Sequence, residues 1–330
     1  MRKKIYYIRD SFRYKKISGL FGLARAYLTL KTKHRQAIKQ PIFLLLEPTT
    51  NCTLQCKMCL RSNSKIKRGN LSFDNYIKII SQFDSLSNLC LTGLGEPFFN
   101  NEIFKMIEYA KKIKKISYVW ISSNGQMLNK NICEEIIKSG LDSIYVSVDA
   151  ASAPVYEMIR TGAKFELLID NIKILVDTKK KWRSNINIKI DFTVMKDNFA
   201  DLSNMVRIAS DLKVDDILIS PVNADFANDP KLKIDLLKFK RKELNCLARK
   251  CNTHIEYADY KGCFEPWVRP YITWDGFLTP CAVRPDPSEM NFGNVMENLF
   301  VDIWNNERFQ QFRASPKKSE LCRDCPRKWK

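Results

Sequence analysis

The strongest chemical signal in the chain is Cys52-Thr-Leu-Gln-Cys56-Lys-Met-Cys59, which directly follows the apolar run Ile42–Glu47 and a short turn. Three thiolates within eight residues can hold one face of a compact metal centre and leave one coordination position open. A structural zinc ion takes four protein ligands, whereas an iron–sulfur cube held by three cysteines keeps one iron free. The motif therefore predicts an iron–sulfur centre with an open iron. A zinc site completed by Cys90, or an unligated cysteine cluster, is the alternative.

Cys-x3-Cys-x2-Cys after a first strand resembles the signature of the radical S-adenosylmethionine (SAM) superfamily. Met58 stands where that family usually has an aromatic residue. The resemblance implies that Cys52, Cys56 and Cys59 hold a 4Fe–4S cluster whose fourth iron binds the amino and carboxylate groups of SAM.

Strand-like runs alternate with amphipathic stretches between Pro41 and Val222. The predicted strands are Ile42–Glu47, Asn88–Thr92, Ser117–Ser122, Ser143–Val148, Ile186–Val194 and Asp216–Ser220. The predicted helices are Phe73–Phe83, Ile103–Ile113, Asn131–Ser139, Phe165–Lys179 and Ala200–Leu212, and Gly140 is expected to end the third of them. This order predicts an α/β fold with a parallel sheet, either open or closed into a barrel. The resemblance to the family implies a partial (β/α)6 TIM-like barrel.

Polar or glycine-rich residues follow several predicted strands, where ligands of parallel sheets bind. Thr92-Gly-Leu-Gly-Glu-Pro97 resembles the family's Gly-Gly-Glu-Pro element, and the ends of the third and fourth strands resemble its other SAM contacts. The candidate SAM-binding residues are Gly93, Gly95, Glu96, Pro97, Ser123, Asn124, Ser147 and Arg160. We expect the two glycines to let the backbone approach the ligand and Glu96 to accept from its ammonium group. A plain βα turn is the alternative for the glycine motif, and a solvated helix charge is the alternative for Arg160.

A second group of cysteines, Cys263, Cys281, Cys322 and Cys325, lies near the C-terminal end of the sequence. Four thiolates suit either a structural zinc ion or a 4Fe–4S cluster without an open iron. The segments around them, such as Cys263-Phe-Glu-Pro-Trp267 and Cys322-Arg-Asp-Cys325-Pro326, resemble the SPASM/twitch module of radical SAM enzymes. Full SPASM modules hold two clusters and about seven cysteines. This chain therefore resembles the shortened form, which implies one auxiliary 4Fe–4S cluster.

The basic composition of the first 40 residues and the family resemblance of the rest together divide the chain into four expected parts. Residues 1–41 are a basic, amphipathic extension, 42–225 a radical SAM core, 226–260 a helical linker and 261–330 a small cysteine-rich auxiliary-cluster domain. Residues 1–40 carry +11 of the formal net charge of +19. A helix packed on the core is one interpretation of this arm. Contact with a membrane surface and attraction of an anionic substrate are the others.

The wider composition excludes several classes of protein. No apolar stretch reaches the ~20 residues of a membrane span, and no cleavable leader is recognised, so we expect a cytoplasmic protein. An odd number of cysteines, 11, argues for metal ligands over disulfides, and two histidines argue against a multi-histidine site. The charge raises a rival from another class, a nucleic-acid-binding protein with structural zinc. Nucleic acid is an unlikely partner, because no RNA-recognition motif accompanies the basic arm.

The resemblance implies reductive cleavage of SAM to a 5′-deoxyadenosyl radical, which removes a hydrogen atom from the substrate. An auxiliary cluster with all four ligands from the protein is better suited to accept an electron than to bind substrate. We therefore predict an oxidoreductase that dehydrogenates an alcohol, or oxidises a related group, on a sugar-like substrate. A peptide maturase or an epimerase is the alternative. The substrate is a sugar, a lipid-linked precursor or a peptide, and a flavodoxin or ferredoxin is the expected electron donor.

Overall fold

The computed structural model describes residues 37, 40–63, 66–222, 237–258, 263, 265–315, 319–323 and 325. These residues form two compact units. The first contains those within 1–51, 66–119 and 260–330, and the second contains those within 52–65 and 120–259. The predicted N-terminal extension therefore lies almost entirely outside the described residues.

The strands in chain order are β1 (Phe43–Leu46), β2 (Gln55–Cys56), β3 (Asn88–Cys90), β4 (Tyr118–Ser123), β5 (Ser143–Ser147), β6 (Arg160–Thr161), β7 (Asn187–Val194), β8 (Asp216–Pro221), β9 (His254–Tyr257), β10 (Tyr271–Ile272) and β11 (Leu278–Thr279). The α-helices are Leu60–Asn63, Phe73–Ile80, Ile103–Glu108, Lys130–Ser139, Ala153–Ile159, Phe165–Lys181, Leu202–Leu212, Leu237–Lys250, Glu265–Val268, Phe300–Trp304, Glu307–Ala314 and Glu320–Arg323. Short 3₁₀ helices occupy Pro97–Phe99 and Lys196–Asp201, and a π-helix occupies Tyr109–Ile113.

In the first unit the strand order is β11-β10-β1-β3. β1 is apolar throughout and pairs in parallel with both β3 and β10, in the register Leu45↔Cys90 and Leu45↔Tyr271. β10 and β11 form an antiparallel hairpin. All four residues of β1 are buried, as expected for a strand covered on both faces.

In the second unit β4, β5, β7, β8 and β9 lie side by side and are all parallel. A helix follows each of the first four strands before the next one begins, as parallel pairing requires. The side chains of β7 alternate between an apolar face, with Ile190 and Phe192, and a face that carries Lys189, Asp191 and Thr193. The polar face supplies residues to the candidate site.

Local sequence explains several helix boundaries. Ser72 and Asn129 each accept a backbone N–H from the first turn of the helix that follows. Gly140 has φ +79° and ends Lys130–Ser139, as its position in the sequence predicts, since glycine adopts this conformation without steric cost.

The predicted α/β fold with a mostly parallel sheet is confirmed, and the six predicted strands are all present. Two further parallel strands were not predicted. β9 lies within the predicted linker and pairs with β8, and β10 lies within the predicted cysteine-rich domain and pairs with β1. Strands β9 and β10 are short, and they depend on pairing with residues distant in sequence. Their own residue patterns therefore do not predict them. No helix in the described part of the chain is long and apolar enough to span a membrane.

Candidate iron–sulfur and S-adenosylmethionine sites

The first cysteine group lies in the second unit, on the loop that contains β2. This strand pairs with β6, so that Cys56 lies opposite Arg160. The N–H of Leu54 donates to the Cys52 Sγ at 3.5 Å, and the N–H of Cys59 donates to the carbonyl of Cys56 at 3.0 Å. The loop is therefore folded back on itself around the three thiols.

Two residues predicted to bind SAM, Arg160 and Asn124, lie beside these thiols. The Arg160 Nη1 is 3.9 Å from the Cys56 Sγ, and the Asn124 Nδ2 is 3.7 Å from the Cys52 Sγ. Burial raises the pKa of the Cys56 thiol to about 11, while the Arg160 cation lowers it. Metal binding must therefore displace a tightly held proton, and Arg160 favours the thiolate that results.

Arg160 is buried, so the solvated-charge interpretation is wrong. It follows the last residue of helix Ala153–Ile159. Its Nε donates to the Asp149 Oδ2 at 2.7 Å, and its Nη2 lies 2.6 Å from the same oxygen. The Asp149 Oδ1 accepts the N–H of Thr193 at 2.7 Å. Asp149 thus orients Arg160. Asp149 belongs to the polar strand end Ser147–Asp149 that resembles the family's SAM contacts, but its pairing with Arg160 was not predicted.

The other predicted contacts in the second unit also lie at strand ends. The Ser123 hydroxyl accepts the N–H of Gly125 at 3.0 Å, and the Asn124 Oδ1 accepts the N–H of Gln126 at 2.9 Å. Ser147 is half-buried and lies opposite Asp191 in the sheet. The structure therefore brings Ser123, Asn124, Ser147 and Arg160 into the unit that carries the first cysteine group.

The glycine motif lies in the first unit and packs on its own chain. A Cβ on Gly93 would lie 2.2 Å from the Glu47 Cγ, and one on Gly95 would lie 2.5 Å from the carbonyl oxygen of Thr49. The N–H of Glu96 donates to the carbonyl of Asn51 at 2.8 Å, and Pro97 begins a 3₁₀ helix. Gly93 and Gly95 let the backbone of the motif lie close to residues 47–51. Packing within the chain is therefore sufficient to explain both glycines.

Glu47 was not predicted as a site residue, because nothing distinguishes it from the end of an apolar strand. Its carboxylate is buried and accepts the N–H of Leu94 at 2.8 Å and the hydroxyl of Tyr271 at 2.9 Å. Burial raises the pKa of Glu47 to about 7, although these donors lower it. The residue joins β1, the glycine motif and β10.

The second cysteine group lies in the first unit, where Cys263, Cys281, Cys322 and Cys325 all line a single cavity. The cavity wall also includes Arg284, whose N–H donates to the carbonyl of Cys281 at 3.1 Å. Burial raises the pKa of Cys322 to about 12, and Cys281 and Cys325 add to the rise, because neighbouring thiolates repel one another. Four thiols that line one cavity fit the ligand set expected of a single metal centre.

A neighbouring arginine fixes the wall of this cavity. Arg313 is buried, donates to the carbonyl of Pro266 at 2.6 Å and stacks on the rings of Trp304 and Phe309. Burial lowers its pKa to about 9. Pro266 and Phe312, which adjoin this packing, line the cavity.

The ligand atoms of Asp216, His254 and Glu256 lie within 4.8 Å of one another. This group already has a cation. The Lys189 Nζ is 3.0 Å from Glu256 and 3.8 Å from Asp216, and His254 Nδ1 is 2.8 Å from Asp216. Burial raises the pKa of Asp216, but hydrogen bonds from His254 and Asn187 together with the Lys189 charge lower it to about 2. Lys189, Asp216 and Glu256 thus form a buried ion network, and His254 adjoins it as an exposed residue.

The remaining cysteines are not part of either group. Cys90 is buried in β3, where its thiol is hydrogen-bonded to Thr92. Cys133 is also buried, and its thiol donates to the carbonyl of Leu128. Cys246 is exposed and Cys251 is half-buried.

Residues 46–207 match the family model of the radical SAM superfamily, and residues 263–326 match that of SPASM, an iron–sulfur cluster-binding domain. Together the matches cover about two thirds of the chain and contain both cysteine groups. The chain belongs to the radical SAM superfamily and carries a C-terminal SPASM region. Its cofactors are accordingly SAM and 4Fe–4S clusters.

Similar proteins act on different substrates. The tungsten-containing aldehyde ferredoxin oxidoreductase cofactor-modifying protein of Pyrococcus furiosus is 26% identical over 315 residues, 86% of each chain. The PqqA peptide cyclase of Granulibacter bethesdensis is 23% identical over 313 residues, 88% of this chain and 81% of that protein. Among solved structures, Streptococcus suis SuiB bound to SAM has a TM-score of 0.70 at 18% identity, covering 94% of this chain and 76% of SuiB. SuiB bound to its precursor peptide SuiA has a TM-score of 0.71 at 17% identity, covering 94% and 74%.

Proposed function

We propose that this chain is a radical SAM oxidoreductase that oxidises a peptide substrate by two electrons, with Cys263, Cys281, Cys322 and Cys325 as the ligands of one auxiliary 4Fe–4S cluster. The observation that carries the proposal is the single cavity lined by all four of these cysteines. A cluster with four protein ligands has no iron to offer to the substrate, which favours a role in electron transfer.

The first group, Cys52, Cys56 and Cys59, supplies three ligands, so one iron of its cluster remains for SAM. When bound, the first cluster would supply the electron that cleaves SAM to the 5′-deoxyadenosyl radical, which takes a hydrogen atom from the substrate, and the second would accept the electron that the substrate radical loses. Arg160 and Asn124 point N–H donors at two of the first group's thiols. Such donors stabilise the negative charge of the ligands and tune the cluster.

The SAM-binding role of Gly93, Gly95, Glu96, Pro97, Ser123, Asn124, Ser147 and Arg160 is part of this proposal. Besides binding Asp149, the Arg160 guanidinium suits a second carboxylate such as that of SAM, because it donates several N–H groups at once. A flavodoxin or ferredoxin as electron donor belongs to the proposal too.

A peptide substrate is supported by the names of two similar proteins, the PqqA peptide cyclase and SuiB in complex with SuiA. SuiB in particular covers 94% of this chain. Fold likeness alone does not transfer a substrate, so a sugar-like or lipid-linked substrate is an alternative outcome of the test.

The test is anaerobic reconstitution followed by iron analysis and SAM cleavage with dithionite. The wild-type chain should hold about eight irons, and the double variant Cys322→Ser/Cys325→Ser about four with 5′-deoxyadenosine formation retained. Cys246→Ser, at an exposed cysteine outside both groups, is the matched control and should hold as much iron as wild type. Zinc at the second site, or wild-type protein that forms no 5′-deoxyadenosine, would contradict the proposal.

Mass spectrometry of candidate substrates distinguishes the reaction types. A two-electron oxidation makes the product two mass units lighter than the substrate. An epimerase leaves the mass unchanged in H₂O and incorporates deuterium from D₂O. Product without loss of hydrogen would overturn the assignment as an oxidoreductase.

A further inference from the structure

Asp191 lies in the middle of β7, and its carboxylate Oδ1 is buried without a hydrogen-bond partner. Among the described residues it is the one carboxylate with a buried, unpartnered oxygen. The residue as a whole keeps some exposure, so its other atoms remain accessible. A buried oxygen without a donor is costly and therefore needs an explanation.

The position of Asp191 relates it to the first cysteine group. It lies opposite Ser147 in the sheet and shares a face of β7 with Thr193, whose N–H binds Asp149. Asp149 in turn binds Arg160, and Arg160 reaches Cys56. A short series of contacts thus leads from a cluster ligand to the strand that carries Asp191.

The neighbouring charges leave Asp191 without a counterion. Arg160 is engaged with Asp149, and Lys189, two residues earlier on the same face, is engaged with Glu256 and Asp216. Burial raises the pKa of Asp191 to about 7, the Asp149 charge adds to the rise, and Arg160 opposes it. A carboxyl group that titrates near neutral pH can both take up and release a proton under working conditions.

The other acids nearby are less suited to this task. Both oxygens of Asp149 accept hydrogen bonds, and Asp216 and Glu256 are held by Lys189. Asp191 is the remaining acid on this face of the sheet.

We propose that Asp191 is the catalytic base that takes the proton from the substrate group undergoing oxidation. The inference rests on the proposed function. After the substrate C–H bond has lost its hydrogen atom to the 5′-deoxyadenosyl group, Asp191 accepts the proton of the adjacent O–H or N–H bond. One electron leaves to the auxiliary 4Fe–4S cluster and a C=O or C=N bond forms. The substrate has then lost two electrons and two protons in all.

The test compares Asp191→Asn, which keeps the shape of the side chain, with wild type and with Asp170→Asn as a matched control. Asp170 is an exposed acid on Phe165–Lys181 that pairs only with Lys173 at the surface. Asp191→Asn should cleave SAM within about twofold of wild type with dithionite but form product on the order of 100-fold more slowly. The wild-type product rate should rise with pH through about 7, and the variant should lose this rise. An unchanged ratio of product to 5′-deoxyadenosine in the variant would overturn the proposal.

A second measurement needs no substrate. Infrared difference spectra of the reduced holoenzyme with SAM, taken between pH 6 and pH 8, should contain a protonated-carboxyl band, in addition to that of Glu47, which Asp191→Asn lacks. Identical spectra for the two proteins would also overturn the proposal. Failure of the proposed function is distinguished from both results, because it would appear in wild type as missing iron or missing SAM cleavage.

Discussion

Arg160 places its Nη1 3.9 Å from the Sγ of Cys56, on a strand pair in which these two residues lie opposite each other. The backbone pairing of β2 and β6 sets the register, and the Asp149 carboxylate sets the direction of the guanidinium. The loop that carries Cys56 therefore lies beside the Arg160 guanidinium, whose charge is paired with Asp149. Four predictions follow from this and the neighbouring contacts.

Loss of this cation should make the first cluster harder to reduce. The double variant Arg160→Met/Asp149→Asn removes the buried pair together, which avoids leaving one charge unpaired. We expect its reduction potential to fall by roughly 40 mV, which corresponds to about 1 kcal/mol for loss of one charge-assisted hydrogen bond. Potentiometric titration followed by electron paramagnetic resonance, in protein that also carries Cys322→Ser/Cys325→Ser, isolates the first cluster.

The control for that titration is Lys57→Met. Lys57 adjoins Cys56 in sequence, but its amine is exposed and pairs with Asp197 at 3.1 Å. Its loss should leave the potential unchanged. Equal potentials for the double variant and this control would show that Arg160 has no electrostatic effect on the cluster.

Glu47 should make stability depend on pH. Its pKa is raised from 4.5 to about 7, so the folded state binds the proton more tightly than the unfolded state does. The contribution of Glu47 to stability is therefore full below pH 4.5 and declines as pH rises to about 7, by roughly 3 kcal/mol in all. Urea unfolding at pH 5 and pH 8 under anaerobic conditions should show a larger decline in wild type than in Glu47→Gln, which keeps the decline due to Asp191. An equal decline in both proteins would mean that Glu47 makes no contribution.

Gly93 should tolerate no side chain while Glu47 is present. Gly93→Ala places its Cβ 2.2 Å from the Glu47 Cγ and should destabilise the protein by about 1–3 kcal/mol. Glu47→Gly removes all three clashing atoms, Cβ, Cγ and Oε1, so adding Gly93→Ala to Glu47→Gly should cost much less than adding it to wild type. Thermal unfolding of the four proteins gives the coupling energy. Strict additivity would mean that the two residues do not collide.

Lys189 should be essential for the stability of the second unit. It is buried between Glu256 and Asp216, and Lys189→Met leaves both carboxylates without their cation. We expect a loss of about 3–5 kcal/mol in urea unfolding. Lys173→Met, at an exposed lysine paired with Asp170, should change stability by less than about 1 kcal/mol. A similar small effect at both positions would refute the idea of a buried network.

The sequence predicted the features that depend on local pattern. The apolar runs predicted the parallel strands, Gly140 predicted a helix end, and the spacing of Cys52, Cys56 and Cys59 predicted the first metal centre. These signals are strong because alternation, the left-handed conformation and ligand spacing all act over a few residues.

The features that the sequence did not predict depend on pairing between distant residues. Glu47 binds Tyr271, Asp149 binds Arg160, and Lys189 binds Glu256, and in each case one partner alone is unremarkable in its own segment. The two-residue strand β10 is likewise too short for any periodic pattern. The packing of Gly93 against Glu47 and of Gly95 against Thr49 was not predicted either, because the sequence does not show which residues lie beside the glycine motif.

The parallel pairing of β1 with β10 also bears on how the protein is made. Leu45 and its partner Tyr271 are separated by most of the chain, so one edge of β1 stays unpaired during synthesis until Tyr271 has left the ribosome. Glu47 has no hydroxyl partner in that interval either. An apolar strand with an open edge is prone to pair with other chains. Nascent chains that stop before residue 271 should accordingly aggregate or recruit chaperones, and slow translation should lower the yield of native enzyme.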